Sequence, residues 1–419
     1  MVYVLNKNGK PLMPTARLGK VRHLLEAHRA TIVSYQPFTI QLAYDCSDRV
    51  QGVSLGVDTG SKHVGLSATT KQKVLFEAQL ELYGGTTKNL STRQEFRHNR
   101  RSRKTRYRKC RFLNCTKSRK PGWVAPSIRA KIQSHVYWIG RIHSFLPVSH
   151  TTVEVAQFDT QLLKAQESGL VVLQGNEYQQ GEQFGFWNVR EYVLFRDNHT
   201  CQCCRGKSKD PILNVHHIES RKVGGNAPNN LVTLCETCHK NYHSGKIELP
   251  KTIKRGASYK DAAFMGIMRC KLMDILREKY GNRVSHTYGY LTKKTRIENS
   301  LPKAHTIDAR CISGNPNSVA FGKPYIIRKV RCHNRQLHKA KILKGGARKA
   351  NRAPKEVFGF RLWDTVRYGN VYCFVGGRRA DGRFSIVDIY GKELMNKVLY
   401  KTLHYNHHNT TNLVCKGVA

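Results

Sequence analysis

Cysteines are paired in the middle of the chain at the spacing typical of metal ligands. Cys201 and Cys204 form one Cys-X2-Cys pair, and Cys235 and Cys238 form a second pair after 30 intervening residues. Two such pairs can place four thiolates tetrahedrally, which suits structural zinc. Cys203 is a further thiol that could replace Cys204 as a ligand. The pattern therefore predicts a zinc site bound by four cysteines.

Histidines lie within and after the same interval. His216 belongs to a segment expected to be a strand, and His239 and His243 are four residues apart, on one face of an expected helix. These side chains can converge on one cation, and the sequence leaves open whether His239 or His243 contacts it. His217 projects from the other face of the strand, where it can deprotonate a water that attacks a phosphate.

Three acidic residues form a second set of candidate metal ligands. Asp58 and Glu154 each lie near the end of a β-rich apolar segment, and Asp308 lies in a helix expected over 304–313. His305 precedes Asp308 by three residues and so shares its helix face. Paired carboxylates can hold two Mg²⁺ ions about 4 Å apart for in-line cleavage of a phosphodiester.

The segment 93–120 has the highest charge density and contains no glycine or proline, so a basic helix is expected there. Such a helix repels itself unless phosphates surround it. We expect these side chains to bind nucleic acid: Arg93, Arg97, Arg100, Arg101, Arg103, Lys104, Arg106, Arg108 and Arg111.

Composition agrees with a polyanionic partner. The 419 residues include 72 Lys and Arg against 28 Asp and Glu, a formal net charge of +44. No apolar run reaches the length of about 18 residues that a membrane span requires, and residues 1–10 lack the features of a signal peptide. The 13 cysteines, an odd number, indicate a reducing compartment with some cysteines used for metal, and not a disulfide framework.

The Cys/His region resembles the HNH (ββα-metal) nuclease motif. The similarity rests on Val215–Ile218, the loop 224–226, and the segments Asn230–Cys235 and Cys238–His243. This resemblance implies one Mg²⁺ held by His216 with His239 or His243, and His217 as the general base. It further implies that Asn230 holds the loop and orients that base.

The acids lie in segments that resemble the three motifs of the split RuvC nuclease, which has an RNase H-like fold. These segments are Leu55–Ser61, Val153–Ala156 and His305–Ala309. The resemblance implies a two-Mg²⁺ centre with His305 as a base or a neighbour of the metal. The arginine-rich segment then occupies the place of the bridge helix.

The order of all these parts, beginning with Pro11-Leu12-Met13-Pro14, resembles IscB, the transposon-encoded RNA-guided nucleases related to the ancestors of type II CRISPR effectors. The implied fold class is multidomain α+β/α/β. Its centre is a discontinuous RNase H-like RuvC domain with an inserted zinc-containing ββα-metal HNH domain. The other implied parts are an arginine-rich bridge helix, a small N-terminal PLMP domain and a β-rich C-terminal domain. The implied domains are 1–52 (PLMP), 53–92 (RuvC-I), 93–120 (bridge helix), 121–180 (RuvC-II), 181–248 (HNH), 249–322 (RuvC-III), 323–355 (guide-RNA-interacting segment) and 356–419 (target-adjacent-motif-interacting domain).

The resemblance implies a monomeric protein that binds a guide RNA (ωRNA) and makes a double-strand break in target DNA. It also implies a cytoplasmic, prokaryotic location with access to the nucleoid. HNH would cut the guide-paired strand and RuvC the displaced strand, and Arg378 and Arg379 would contact the target-adjacent motif. Two alternatives remain. An unguided HNH homing or restriction endonuclease explains the Cys/His region but not the acids, and a non-cleaving RNA-binding scaffold explains the charge alone.

Overall fold

The computed structural model describes residues 1–101, 124–155, 186, 188–220, 224, 227–253, 260–320, 322–331 and 354–416, with only the backbone described at 87, 94, 96–101 and 260–263. The chain folds as two compact units, one joining Met1–Gln157 to Phe264–Ala419 and the other formed by Phe158–Ala263. No helix in the described ranges is both long and apolar enough to cross a membrane. The protein is thus a mixed α/β protein of several domains, as the sequence predicts.

The first unit begins with a small mixed sheet. Its elements are β1 (Tyr3–Leu5), α1 (Leu18–Glu26), β2 (Ala30–Tyr35) and β3 (Phe38–Leu42). Strand β3 is central, parallel to β1 and antiparallel to β2. The Pro11–Pro14 segment runs beside β1, because the Leu12 N–H donates to the Val4 carbonyl at 2.9 Å.

A larger sheet begins with an antiparallel meander. Its first strands are β4 (Val53–Asp58), β5 (His63–Thr69) and β6 (Lys73–Glu81), followed by helices α2 (Thr86–Arg101) and α3 (Pro126–Phe145) and strand β7 (Val148–Glu154). Leu55 and Val57 share a core with Trp138 and Ile139 of α3. Because side chains alternate along a strand, Asp58 lies on the opposite face.

The second unit contains a strand pair followed directly by a helix. Its elements are α4 (Val189–Arg196), β8 (Leu213–His217), β9 (Leu231–Cys235) and α5 (Glu236–His243). Strands β8 and β9 are antiparallel. Cys201, Cys235 and Cys238 are buried together with Val232 and Leu234. A core this small gains stability from a structural metal.

The chain then returns to the first unit through α6 (Lys260–Tyr280), β10 (Val284–Thr287), α7 (Gly289–Glu298), α8 (His305–Ile312), β11 (Val319–Ala320) and β12 (Tyr325–Lys329). The helix expected over 304–313 is confirmed. Strand β10 pairs in parallel with β7, and β12 pairs in parallel with β6. Helix α8 is anchored by a bidentate ion pair, in which Arg310 donates to Glu77 at 2.7 and 3.0 Å.

A five-stranded sheet follows, made of β13 (Thr365–Tyr368), β14 (Val371–Arg378), β15 (Arg383–Val387), β16 (Glu393–Leu399) and β17 (His404–His407). The last strand, β18 (Asn412–Lys416), leaves this sheet and pairs antiparallel with β12. The main sheet therefore has the order β10-β7-β4-β5-β6-β12-β18. Val414 of this strand is buried in the main core, whereas Leu413 is buried with Phe374 and Val387 of the five-stranded sheet.

Candidate functional site

Four cysteines of the second unit form one cluster. Cys235 ends β9 and caps α5, where its sulfur accepts the Cys238 N–H at 3.5 Å. The sulfur atoms of Cys201, Cys204, Cys235 and Cys238 lie within 4.8 Å of one another. Cys203 is outside this group among the described residues, so the geometry favours Cys204. The set suits tetrahedral zinc.

Thiols in this cluster have shifted pKa values. Burial raises the pKa of Cys201 and that of Cys238. Burial acts in the same direction on Cys204, but hydrogen bonds from Ser208 outweigh it and lower the pKa of that thiol to about 6. Cys204 is therefore a thiolate at neutral pH, which is the form that binds a metal.

Three histidines of the same unit form a second cluster. The ring nitrogens of His216 on β8 and of His239 and His243 on α5 lie within 4.8 Å of one another. The Nε2 atoms of His239 and His243 are 3.3 Å apart. The Nε2 atom of His216 is buried without a hydrogen-bond partner in the described part of the chain. Such an atom is costly unless it binds something, so the cluster fits a divalent cation, with both His239 and His243 in reach.

Two of these rings, those of His216 and His239, have lowered pKa values. Burial, followed by the charges of His239 and His243, lowers the pKa of His216 to about 4. Burial also lowers the pKa of His239. Neutral imidazoles have the free lone pairs that metal binding requires.

His217 and Asn230 lie beside this cluster. His217 is half-buried and projects from the opposite face of β8 to His216. The side chain of Asn230 is fully buried; it accepts the Glu219 N–H at 2.9 Å and donates to the Glu219 carbonyl at 3.0 Å. A Cβ at Gly224 would lie 2.2 Å from the Asn230 amide nitrogen, so only a glycine lets the backbone at this position approach the Asn230 side chain. Asn230 thus holds the loop that joins β8 to β9.

In the first unit, α8 brings His305 to Asp58. The His305 Nδ1 and Asp58 Oδ2 atoms are 2.6 Å apart, and this hydrogen bond raises the pKa of His305 although burial opposes it. Two glycines permit the approach. A Cβ at Gly56 would lie 1.9 Å from the Ala309 carbonyl oxygen, and one at Gly65 would lie 1.9 Å from the His305 carbonyl oxygen. Helix α8 consequently packs directly on the backbone of β4 and β5.

Helix α7 holds Glu154, the last residue of β7. The Thr292 hydroxyl donates to the Glu154 Oε2 at 2.5 Å, and a Cβ at Gly289 would lie 3.0 Å from its Oε1. Burial raises the pKa of Glu154, and the charges of Asp58 and Asp308 raise it further.

Asp308 faces the same site from α8. The Nε of Arg296 on α7 lies 2.9 Å from the Asp308 Oδ1, while burial and the charge of Asp58 raise the pKa of Asp308. The charge of Asp58 therefore acts on both of the other acids predicted from sequence. Within the described residues their oxygens form a looser group than the cysteine and histidine clusters. Repulsion among carboxylates is relieved by a bound cation, so the set fits divalent metal.

Three contributors to this site were not assigned roles from sequence. Thr292 and Arg296 hold Glu154 and Asp308, and the His63 ring stacks on His305 with a centroid distance of 5.7 Å. The contacts of Thr292 and His63 join segments far apart in sequence, and the contact of Arg296 joins two different helices, so spacing within one element predicts none of them.

The basic residues predicted to bind nucleic acid are only partly described. Arg93 is exposed on α2, and Arg97, Arg100 and Arg101 belong to the same helix, whereas Arg103, Lys104, Arg106, Arg108 and Arg111 lie outside the described residues. Arg378 donates to the carbonyls of Lys355 and Phe360, and burial lowers its pKa. Its guanidinium is therefore engaged by backbone, whereas the Arg379 guanidinium donates to the Asn396 amide oxygen at 3.3 Å.

Comparisons with known proteins agree with parts of this description. A family model described as RRXRR protein matches residues 2–181, and a model described as HNH endonuclease matches residues 201–245. The comparison with curated proteins finds no match.

Among solved structures, Streptococcus thermophilus Cas9 in complex with the AGAA PAM is 12% identical with a TM-score of 0.29, and the alignment covers 46% of this chain and 26% of that chain. The complex with the GGAA PAM is 11% identical with a TM-score of 0.30, covering 47% of this chain and 26% of that chain. The match thus spans about a quarter (26%) of these Cas9 chains. The chain carries an HNH endonuclease domain and a region that matches the RRXRR family, a combination that supports a nuclease of the Cas9/IscB type.

Proposed function

We propose that the chain is an RNA-guided DNA endonuclease of the IscB kind, in which HNH cuts the guide-paired strand and a RuvC-like centre cuts the displaced strand. The observation that carries the proposal is the convergence of Asp58, Glu154 and Asp308 from three separate elements, with the charge of Asp58 raising the pKa of both other acids. An HNH endonuclease alone has no use for a second, acidic site.

The main sheet supports the RuvC-like part of the proposal. Asp58 is the last residue of β4 and Glu154 the last of β7, and these two strands are parallel neighbours. Active sites of such sheets lie beyond the carboxyl ends of parallel strands. Strands β4 and β7, which are far apart in sequence, thus place Asp58 and Glu154 at the edge of the sheet where substrate is expected to bind.

At the carboxylate centre, Asp58, Glu154 and Asp308 would hold Mg²⁺, which supplies charge neutralisation of the phosphate and of the leaving oxygen. Thr292 and Arg296 orient two of these acids. Because the His305 Nδ1 faces Asp58, the Nε2 of the neutral ring is left as the basic nitrogen that can take a proton from an attacking water.

In the HNH domain, His216 with His239 or His243 would hold one Mg²⁺, and the four cysteines would hold structural zinc. His217 accepts the proton of the attacking water from the opposite face of β8. Asn230 fixes the loop beside that face through its two hydrogen bonds with Glu219.

Charge supports the nucleic-acid partners of the proposal. A chain of net charge +44 gains affinity for guide RNA and target DNA by releasing their counterions. The predicted domain boundaries, the monomeric state and the cytoplasmic location belong to this proposal as well.

Strand-specific cleavage tests the function. The protein is purified with its copurified RNA, that RNA is sequenced, and a plasmid matching its guide is supplied with Mg²⁺. We expect a double-strand break from the unaltered protein, a nick in the guide-paired strand from Asp58→Ala, and a nick in the displaced strand from His217→Ala. A double-strand break by Asp58→Ala would exclude the RuvC-like centre, and the absence of a discrete RNA would favour the unguided alternative.

A further inference from the structure

A run of aromatic rings borders the carboxylate centre and has no role in the chemistry described so far. His286 and Tyr288 meet edge-on with a centroid distance of 5.5 Å, and Tyr288 stacks on Tyr290 at 6.1 Å with an interplanar angle of 10°. Tyr288 packs against the main core, whereas Tyr290 is 69% exposed. The outer ring is thus supported from behind and open to solvent.

The position of this run ties it to Glu154. Gly289, between the two tyrosines, comes so close to Glu154 that a Cβ there would lie 3.0 Å from the carboxylate Oε1. Thr292 of the same helix donates to the other carboxylate oxygen. Helix α7 therefore presents one face to the acids and carries the aromatic rings at its start.

Charge on the exposed face of α7 complements a nucleic-acid backbone. Lys293 and Lys294 follow Tyr290 by three and four residues, and both are exposed on the same side of the helix. Glu298 is the only acid of α7, and it pairs with Lys294 at 3.9 Å. An open aromatic ring with lysines beside it is the combination that binds single strands by stacking and phosphate contact.

We propose that Tyr288 and Tyr290 form a stacking platform that holds one base of the displaced single-stranded DNA and so places a neighbouring phosphate at the carboxylate centre. This inference rests on the proposed function. A duplex does not fit the platform, because its bases are already stacked on each other. Tyr290 is a positioning residue, since it contacts the substrate base away from the scissile bond.

The test uses the ribonucleoprotein with a target whose displaced strand carries 2-aminopurine at one position at a time. We expect quenched fluorescence at one or two positions, recovery of that signal in Tyr290→Ala, and retained quenching in Tyr290→Phe, which keeps the ring. Nicking of the displaced strand should slow about tenfold in Tyr290→Ala, with cutting of the guide-paired strand unchanged. Leu291→Ala, at an exposed apolar neighbour on another side of α7, is the matched control.

The outcomes of these experiments distinguish a failure of the stacking platform from a failure of the proposed function. If Tyr290→Ala leaves both the fluorescence and the nicking rate unchanged, or slows both strands equally, the platform does not exist. Slow nicking of the displaced strand by Tyr290→Phe would contradict the platform as well, because stacking by the aromatic ring would then not explain the effect of Tyr290→Ala. Continued nicking of the displaced strand by Asp58→Ala would instead contradict the proposed function, because the carboxylate centre would then not cut that strand.

Discussion

At the scale of single residues, buried histidines are the least ordinary feature of the first unit. His135 on α3 is 1% exposed, its Nδ1 bonds to the Lys131 carbonyl at 2.9 Å, and its Nε2 is buried without a hydrogen-bond partner among the described residues. Burial lowers its pKa to about 4, although the charge of Asp58 acts in the opposite direction. The ring therefore stays neutral beneath the acidic site.

This burial predicts a pH dependence of stability. The folded pKa of His135, about 4, lies below the ordinary value of 6.5, so the unfolded chain takes up the proton first as pH falls. The contribution of the neutral His135 ring to the free energy of unfolding is complete above pH 6.5 and is lost as the pH falls towards 4. At roughly 1.4 kcal/mol per unit of pKa shift, this contribution amounts to about 3 kcal/mol. Urea unfolding across this window should show a shallower decline for His135→Leu.

The control for that experiment is His23→Leu, which removes an exposed histidine of α1. Parallel declines of unfolding free energy for His135→Leu and the unaltered chain would contradict the assigned role of burial.

At the scale of elements, glycines decide how closely α8 approaches the sheet. Gly56 and Gly65 lie on adjacent strands, with Gly65 opposite Asp58 in the register. A side chain at either position would meet helix backbone, which cannot rotate away as a side chain can. The hydrogen bond between His305 and Asp58 therefore depends on two residues that carry no chemistry themselves.

We expect Gly65→Ala to push α8 outward and separate His305 from Asp58. Overpacking of this kind costs about 1–3 kcal/mol of unfolding free energy, and a displacement near 1 Å can slow displaced-strand nicking about 100-fold. Guide-paired cutting should continue. Gly266→Ala, in α6, where a Cβ meets nothing within 4 Å, is the control and should nick at the normal rate.

Zinc content tests the second unit. Cys238→Ser should lower bound zinc by one equivalent and destabilise the domain, because the ion would lose one of its four thiolate ligands. Cys203→Ser should retain zinc, since Cys203 lies outside the cluster. Elemental analysis of the purified variants distinguishes them, and loss of zinc from Cys203→Ser alone would reverse the choice between Cys203 and Cys204.

At the scale of the whole molecule, the net charge predicts how the proposed binding to nucleic acid depends on salt. With a net charge of +44, binding of the copurified RNA should weaken steeply with salt. If six to ten phosphates are contacted, affinity should fall by about 10³–10⁵ between roughly 50 and 200 mM salt. Filter binding over this range measures the slope, and a flat response would contradict binding driven by counterion release.

The sequence alone predicted the cysteine and histidine pairs that cluster in the structure, because the spacing of Cys235 and Cys238, or of His239 and His243, places both side chains within one or two helical turns of each other. It also predicted the helix over 304–313 from local pattern. Only the tertiary structure decided the contacts between different elements, namely Thr292 with Glu154 and Arg296 with Asp308. It likewise decided that β18 completes the main sheet. Such contacts depend on how whole elements pack, and no local periodicity records which surfaces will meet.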